Sequence, residues 1–158
     1  LKNFKGLPHR LERVASVNGV DFINDSKATN TDAAVKAIET FDRPQILIMG
    51  GRDKDGDFSA LKEIVKKKVR RLVLIGEAAE KLESVLEGCS SIVKASSMEE
   101  AVIKAFETSA PGDVVLLAPA CASFDMYENY KKRGEDFSRV AGLIASGEEA
   151  YKSSGGLQ

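Results

Sequence analysis

The sequence predicts an α/β protein, a doubly wound and mostly parallel sheet entered through an N-terminal β-hairpin, and three observations carry that expectation. From Gln45 onward, short and almost wholly apolar stretches alternate with amphipathic ones. The apolar stretches lack polar alternation, as strands buried on both faces do. Ahead of them, two apolar segments flank Asn18-Gly19, a pair in which both residues tolerate positive φ and which therefore favours a tight hairpin turn.

The elements follow in order. "LERVASV" (11–17) and "VDFI" (20–23) read as the hairpin strands, the second delivering the chain to Asn24. Either Asn30 or Thr31 can then cap a helix in which Ala33, Ala34, Ala37, Ile38 and Phe41 recur at helical spacing. After Pro44 come a strand at 45–50, a helix at 57–68, a strand at 71–76, a helix at 77–88, a short strand at 91–95, a helix at 97–109 and a strand at 113–119. A long last helix follows, with Phe137, Val140 and Leu143 expected inside and Lys131, Lys132, Arg133, Glu135, Asp136 and Arg139 on a wet face.

A chain of 158 residues is one domain's worth, and folding at that size buries roughly 70% of the unfolded surface. Lys and Arg total 23 against 24 Asp and Glu, so no whole-surface field recruits nucleic acid or anionic membrane. The longest apolar runs, such as "VVLLA" (114–118), fall far short of the ~20 residues that cross a bilayer. No leader-like opening is read in the sequence, and a soluble, cytoplasmic monomer is expected. Cys89 and Cys121 lie far apart without Cys-x-x-Cys or Cys/His spacing, so neither a metal site nor a disulfide is expected. Residues 148–158, ending in "SSGGLQ", read as a flexible tail or a vector remnant after a domain spanning 1–147.

In open parallel sheets ligands sit beyond the carboxyl ends of the strands. Four loops are placed there: 24–30, 50–57, 76–77 and 118–130. The first, "NDSKATN", sets Lys27 among Asn24, Asp25, Ser26, Thr29 and Asn30 on a strand-to-helix connection. In the second, Gly50-Gly51 could receive a phosphate on backbone N–H groups or simply make a tight turn. No G-x-G-x-x-G and no G-x-x-x-x-G-K-[ST] occurs in the chain. In the fourth, Cys121 and Ser123 are candidate nucleophiles, but the sole histidine is His9 and no G-x-S-x-G elbow surrounds the serine. Ser123 better suits capping of free N–H groups ahead of a helix, or binding a ligand carboxylate there. "VKKKVRR" (65–71) complements a helix C-terminus rather than forming a basic binding patch. His9 reads as a hydrogen-bonded or interfacial histidine, and Arg10 beside it as the better phosphate candidate because guanidinium forks onto oxyanions.

Taken together and in this order, "FKGLPHRLE" (4–12), "NGVDFINDSKATN" (18–30), "GGRDKDGDF" (50–58) and "PGDVVLLAPACASFDMYENYKKRGEDF" (111–137) resemble the C-terminal domain of the bacterial Mur ligases. The resemblance covers about residues 4–145, and the heptad "NDSKATN" points to the D-glutamate-adding branch. It implies a three-domain cytoplasmic enzyme in peptidoglycan precursor synthesis, in which an N-terminal domain holds UDP-N-acetylmuramoyl-L-alanine and a central domain holds ATP and Mg. The Rossmann-like third domain, the part found here, then binds D-glutamate and closes over the ATP site, and is inactive alone. By the same resemblance Lys27 matches a lysine that pairs with a substrate carboxylate and Ser123 a serine donor. Tyr130 stands where the family often has Phe. Asp25, Thr29 and Asn24 orient the loop or reach the ligand, with Arg10 and Asn24 near nucleotide or phosphate. A sister ligase adding another amino acid and a stand-alone anion-binding module are the competing readings.

Overall fold

The computed structural model describes residues 7–53 and 55–147. The tail expected at 148–158 lies outside the described residues. Strands β1 (Glu12–Val17) and β2 (Val20–Asn24) pair antiparallel across Asn18-Gly19, whose φ values of 53° and 78° are the left-handed geometry that this dipeptide tolerates. The remaining elements are α1 (Thr31–Glu39), β3 (Gln45–Gly50), α2 (Leu61–Lys68), β4 (Val69–Ile75), α3 (Ala79–Leu86), β5 (Ser91–Lys94), α4 (Met98–Glu107), β6 (Val114–Leu117) and α5 (Tyr130–Ser146).

The six strands form one sheet in the order β1-β2-β6-β3-β4-β5, parallel except for the β1 edge. Period-two alternation then splits the apolar side chains between two cores. Leu47, Met49, Leu72, Leu74 and Leu116 pack with Ala34, Ile38, Leu61, Val65 and Leu82 of α1, α2 and α3. Ile46, Ile48, Val73, Ile75 and Leu117 pack with Ala101, Val102, Phe137 and Val140 of α4 and α5 on the other side. The α/β class, the parallel sheet covered on both faces and the N-terminal hairpin are therefore as expected.

Three local expectations are corrected. Helix α2 begins at Leu61 and not at residue 57, because the Asp57 side chain accepts from Ser59 N (2.9 Å) and holds the chain in a turn while Phe58 enters the core. Helix α5 begins only at Tyr130, capped by Asn129, whose side chain accepts from Lys132 N, so Ser123 does not immediately precede a helix. On α5 the inward stripe is Arg133, Phe137, Val140, Ala141 and Ile144, while Leu143 is 58% exposed.

Lys68 shows what the basic run does. Its Nζ donates to Phe41 O (2.9 Å) and Glu39 O (3.3 Å), satisfying carbonyls at the C-terminal end of α1. No helix among the described residues is long and apolar enough to cross a membrane.

Candidate functional site

Strand β6 lies between β2 and β3, yet the chain leaves β2 toward the α1 face and leaves β6 toward the α5 face. Divergence of neighbouring connections opens a crevice at the carboxyl ends of these strands. The loops at 24–30, 50–57 and 118–130 meet there. Ala120 N donates to Ala28 O (2.9 Å), Arg52 N to Ala122 O (2.8 Å) and Gly50 N to Pro119 O (3.0 Å). Gly50 and Gly51 make this approach possible: their φ values are 134° and 144°, and a Cβ on them would collide with Ile75 O and Ala122 O respectively. The glycine pair therefore serves close backbone packing.

Asn24 ends β2 with no exposure at all. Its Oδ1 accepts from Ser26 N (3.0 Å), and its Nδ2 stands 3.1 Å from each of Gly134 O, Ser138 Oγ and His9 Nδ1. Two backbone partners thus fix the amide orientation, and the group facing His9 Nδ1 is a donor. Asn24 orients the loop and offers no surface to a nucleotide in this arrangement. His9 also sits edge-on to Tyr130, with ring centroids 6.3 Å apart.

Asp25 is buried, and its Oδ1 accepts from Leu11 N (3.1 Å), tying the Lys27 loop to the segment that carries Arg10. Burial pushes its carboxyl above the ordinary range, against the opposing pull of the Leu11 N–H and of the Arg10 charge. Arg10 itself is exposed.

Lys27 is exposed on the loop between these anchors, its backbone N donating to His9 O (3.0 Å). Its Nζ lies 3.4 Å from Tyr130 Oη and 5.1 Å from the centre of that ring. The structure thus brings Lys27 and Tyr130 together although 103 residues separate them. Ser123, on the facing β6 loop, is 2% exposed and its Oγ has no hydrogen-bond partner among the described residues. An unpaired buried hydroxyl is costly unless something else meets it. Thr29 lines a cleft of about 210 Å³ together with Arg52, Asp53, Phe58 and Cys121. Ala120 in the same wall holds φ 62°, a strained value for a residue with a Cβ.

Cys121 does not behave as a nucleophile. It is buried, and desolvation pushes its thiol up to about 12, which keeps it protonated and inert. Across the cleft Lys81 donates to Asp53 Oδ2 (2.8 Å) and holds that carboxyl below its usual range.

Arg133 was assigned to solvent by its neighbours in sequence, and it is instead 1% exposed. Its guanidinium donates from Nε to Ser26 Oγ (2.9 Å), from Nη2 to Ser26 O (2.7 Å) and from Nη1 to Cys121 O (2.9 Å). Desolvation lowers its pKa to about 10, which leaves it charged at neutral pH. The signal lay in spacing: positions 133, 137, 140, 141 and 144 form one helical stripe. No group of three or more His, Cys, Asp or Glu side chains able to hold a metal ion occurs among the described residues.

The carboxyl ends of the parallel sheet thus carry an exposed lysine beside a tyrosine, with a buried and unpaired serine hydroxyl on the β6 loop. Residues 9–121 match the family model of the Mur ligase, glutamate ligase domain, and the chain belongs to that family. Its relatives include UDP-N-acetylmuramoylalanine–D-glutamate ligases from Salinibacter ruber, 52% identical over 89% of this chain and 31% of that protein, and from Caldicellulosiruptor bescii, 49% identical over 93% and 33%. The chain thus spans about a third of the length of the curated relatives it matches, in their C-terminal portion. Among solved structures it resembles a murein peptide ligase from Psychrobacter arcticus (TM-score 0.61, 15% identity, 91% of this chain and 32% of that one). A bifunctional folylpolyglutamate synthase/dihydrofolate synthase from Yersinia pestis is also similar (TM-score 0.58, 20% identity, 89% and 31%). At those identities the likeness is one of fold.

Proposed function

We propose that this chain is the D-glutamate-receiving domain of an ATP-dependent ligase that extends UDP-N-acetylmuramoyl-L-alanine in peptidoglycan precursor synthesis. The observation that carries the reading is the pairing of an exposed Lys27 ammonium with Tyr130, together with a Ser123 hydroxyl on the β6 loop left unpaired although buried. D-glutamate presents two carboxylates and an amine. Lys27 supplies a cation for one carboxylate, with Tyr130 Oη beside it, and Ser123 supplies a neutral donor. Thr29 lines the adjoining cleft, Asp25 and Asn24 hold the loop, and exposed Arg10 serves the phosphate side.

ATP as co-substrate activates the muramoyl-alanine carboxylate as an acyl phosphate; the unprotonated amine of D-glutamate attacks it, and the tetrahedral adduct expels phosphate. The residues of this chain contribute binding and orientation, for which proximity accounts for several kcal/mol, roughly 7 at the low end of well-aligned cases. Magnesium and the nucleotide are held mainly by the remainder of the protein, with Arg10 reaching the phosphates from this domain. Closure of the crevice strengthens the Lys27–carboxylate contact by lowering the effective dielectric.

The test is steady-state kinetics of the full-length ligase carrying Lys27→Ala. Loss of a charge-assisted hydrogen bond of about 1.5–3 kcal/mol raises the KM for D-glutamate by roughly ten- to a hundredfold and lowers kcat, with little change in the KM for ATP. Unchanged kinetics would remove Lys27 from this role.

A further inference from the structure

We infer that Arg133 is a positioning residue that locks the loop bearing Lys27 to the loop bearing Ser123, and so sets the spacing of the two groups that grip the ligand. Its effect on the ligand rests on the function proposed above; its effect on the loops does not.

The case is geometric. Three hydrogen bonds leave one guanidinium, two ending on Ser26, next to Lys27, and one on Cys121 O, two residues before Ser123. Ser26 Oγ, while accepting from Nε, donates to Tyr130 O (2.7 Å), so the residue beside the lysine is also pinned to the first residue of α5. Lys27, Ser123 and Tyr130 are thereby referred to one rigid fork.

The surroundings are shaped for this fork. A Cβ on Gly51 would come within 3.2 Å of Arg133 Nη1, and a Cβ on Gly134 would collide with His9 Nδ1, so glycine at both positions leaves room for the guanidinium and for the His9 ring. Among the described residues no carboxylate bonds the guanidinium directly. It is attracted through space to Asp125, whose Oδ2 accepts from Glu77 N (3.0 Å). An arginine that meets no carboxylate among the described residues and donates to two loop carbonyls and a loop hydroxyl fits positioning better than a stability role served by an ion pair.

The full-length ligase carrying Arg133→Lys, and separately Ser26→Ala as the milder variant, should be compared with the parent and with Lys27→Ala. Two readouts are taken: amide hydrogen exchange resolved by peptide, and KM and kcat for D-glutamate and ATP. The expected result for Arg133→Lys is at least tenfold faster exchange confined to residues 24–28 and 120–124, with strands 45–50 and 72–75 unchanged. The KM for D-glutamate rises about tenfold while that for ATP stays within about twofold. Ser26→Ala follows in the same direction with smaller changes. Uniform acceleration of exchange over the whole domain, or none at either loop, overturns the inference. So does an unaltered KM for D-glutamate in a background where Lys27→Ala raises it. If Lys27→Ala has no kinetic effect, the ligand assignment of that lysine fails, and the exchange pattern alone then decides whether Arg133 holds the loops.

Discussion

Asp25 shows how a single buried carboxyl can tie two segments together at a cost in stability. Its carboxyl is driven upward by burial in the folded chain, the Leu11 N–H and Arg10 only partly opposing that. The charged form is therefore less favoured folded than unfolded. Below the unfolded value of about 4 both states hold the proton and no penalty exists; the penalty grows as pH rises from there and is complete above the folded value. Asp25→Asn keeps an Oδ1 acceptor for Leu11 N and removes the titration. The variant is expected to match the parent near pH 3 and to become progressively more stable relative to it as pH rises toward neutrality, as measured by urea unfolding across that range. A difference that does not change with pH would mean that Asp25 is not the group strained by burial. At this scale the sequence was only partly legible. The polar heptad around Lys27 reads as a strand-to-helix loop, which it is, while the Lys27–Tyr130 contact was not legible. The burial of Arg133 and the complete engagement of Asn24 were hidden, because both depend on partners more than 100 residues away, Ser26 for the one and Gly134 for the other.

Among the elements, the strands were read to within two residues, since a buried parallel strand is an unbroken apolar run and admits few alternatives. Helix starts were less legible. A turn held by an Asx contact at Asp57 and another series of turns over 123–129 precede α2 and α5, and their polar, helix-compatible residues resemble a first turn. The start of α5 matters most, because Tyr130 and Arg133 both belong to its first turn. Asn129 caps it, with Oδ1 2.9 Å from Lys132 N. Asn129→Ala should lower stability by about 1 kcal/mol, as the loss of a helix N-cap commonly does, and should raise the KM for D-glutamate severalfold by loosening both residues. Asn129→Asp, which keeps the acceptor, should restore both quantities. Recovery of stability without recovery of KM would separate the cap from the site.

For the molecule as a whole, the sheet order explains why the site is built from distant segments. Inserting β6 between β2 and β3 brings residues 24–30 and 118–130 side by side, and no periodicity in the sequence reveals that insertion. The crevice is also open: Lys27 and Arg10 are exposed, and exposed charge pairs contribute only about 0–1 kcal/mol. A ligand held mainly by such contacts binds in the millimolar range or more weakly until the crevice closes. A ¹H–¹⁵N titration of this chain with D-glutamate, with L-glutamate as control, tests that account. Shifts confined to residues 24–30 and 122–130, specific to the D isomer and saturating only at tens of millimolar or above, are expected from a site already formed but unenclosed. Equal shifts from both isomers would count against D-glutamate as the ligand and favour a general anion site. An absence of shifts would show that closure creates the binding geometry instead of strengthening it. In that case the rigidity that Arg133 gives the two loops would serve docking with the remainder of the ligase before it serves the amino acid.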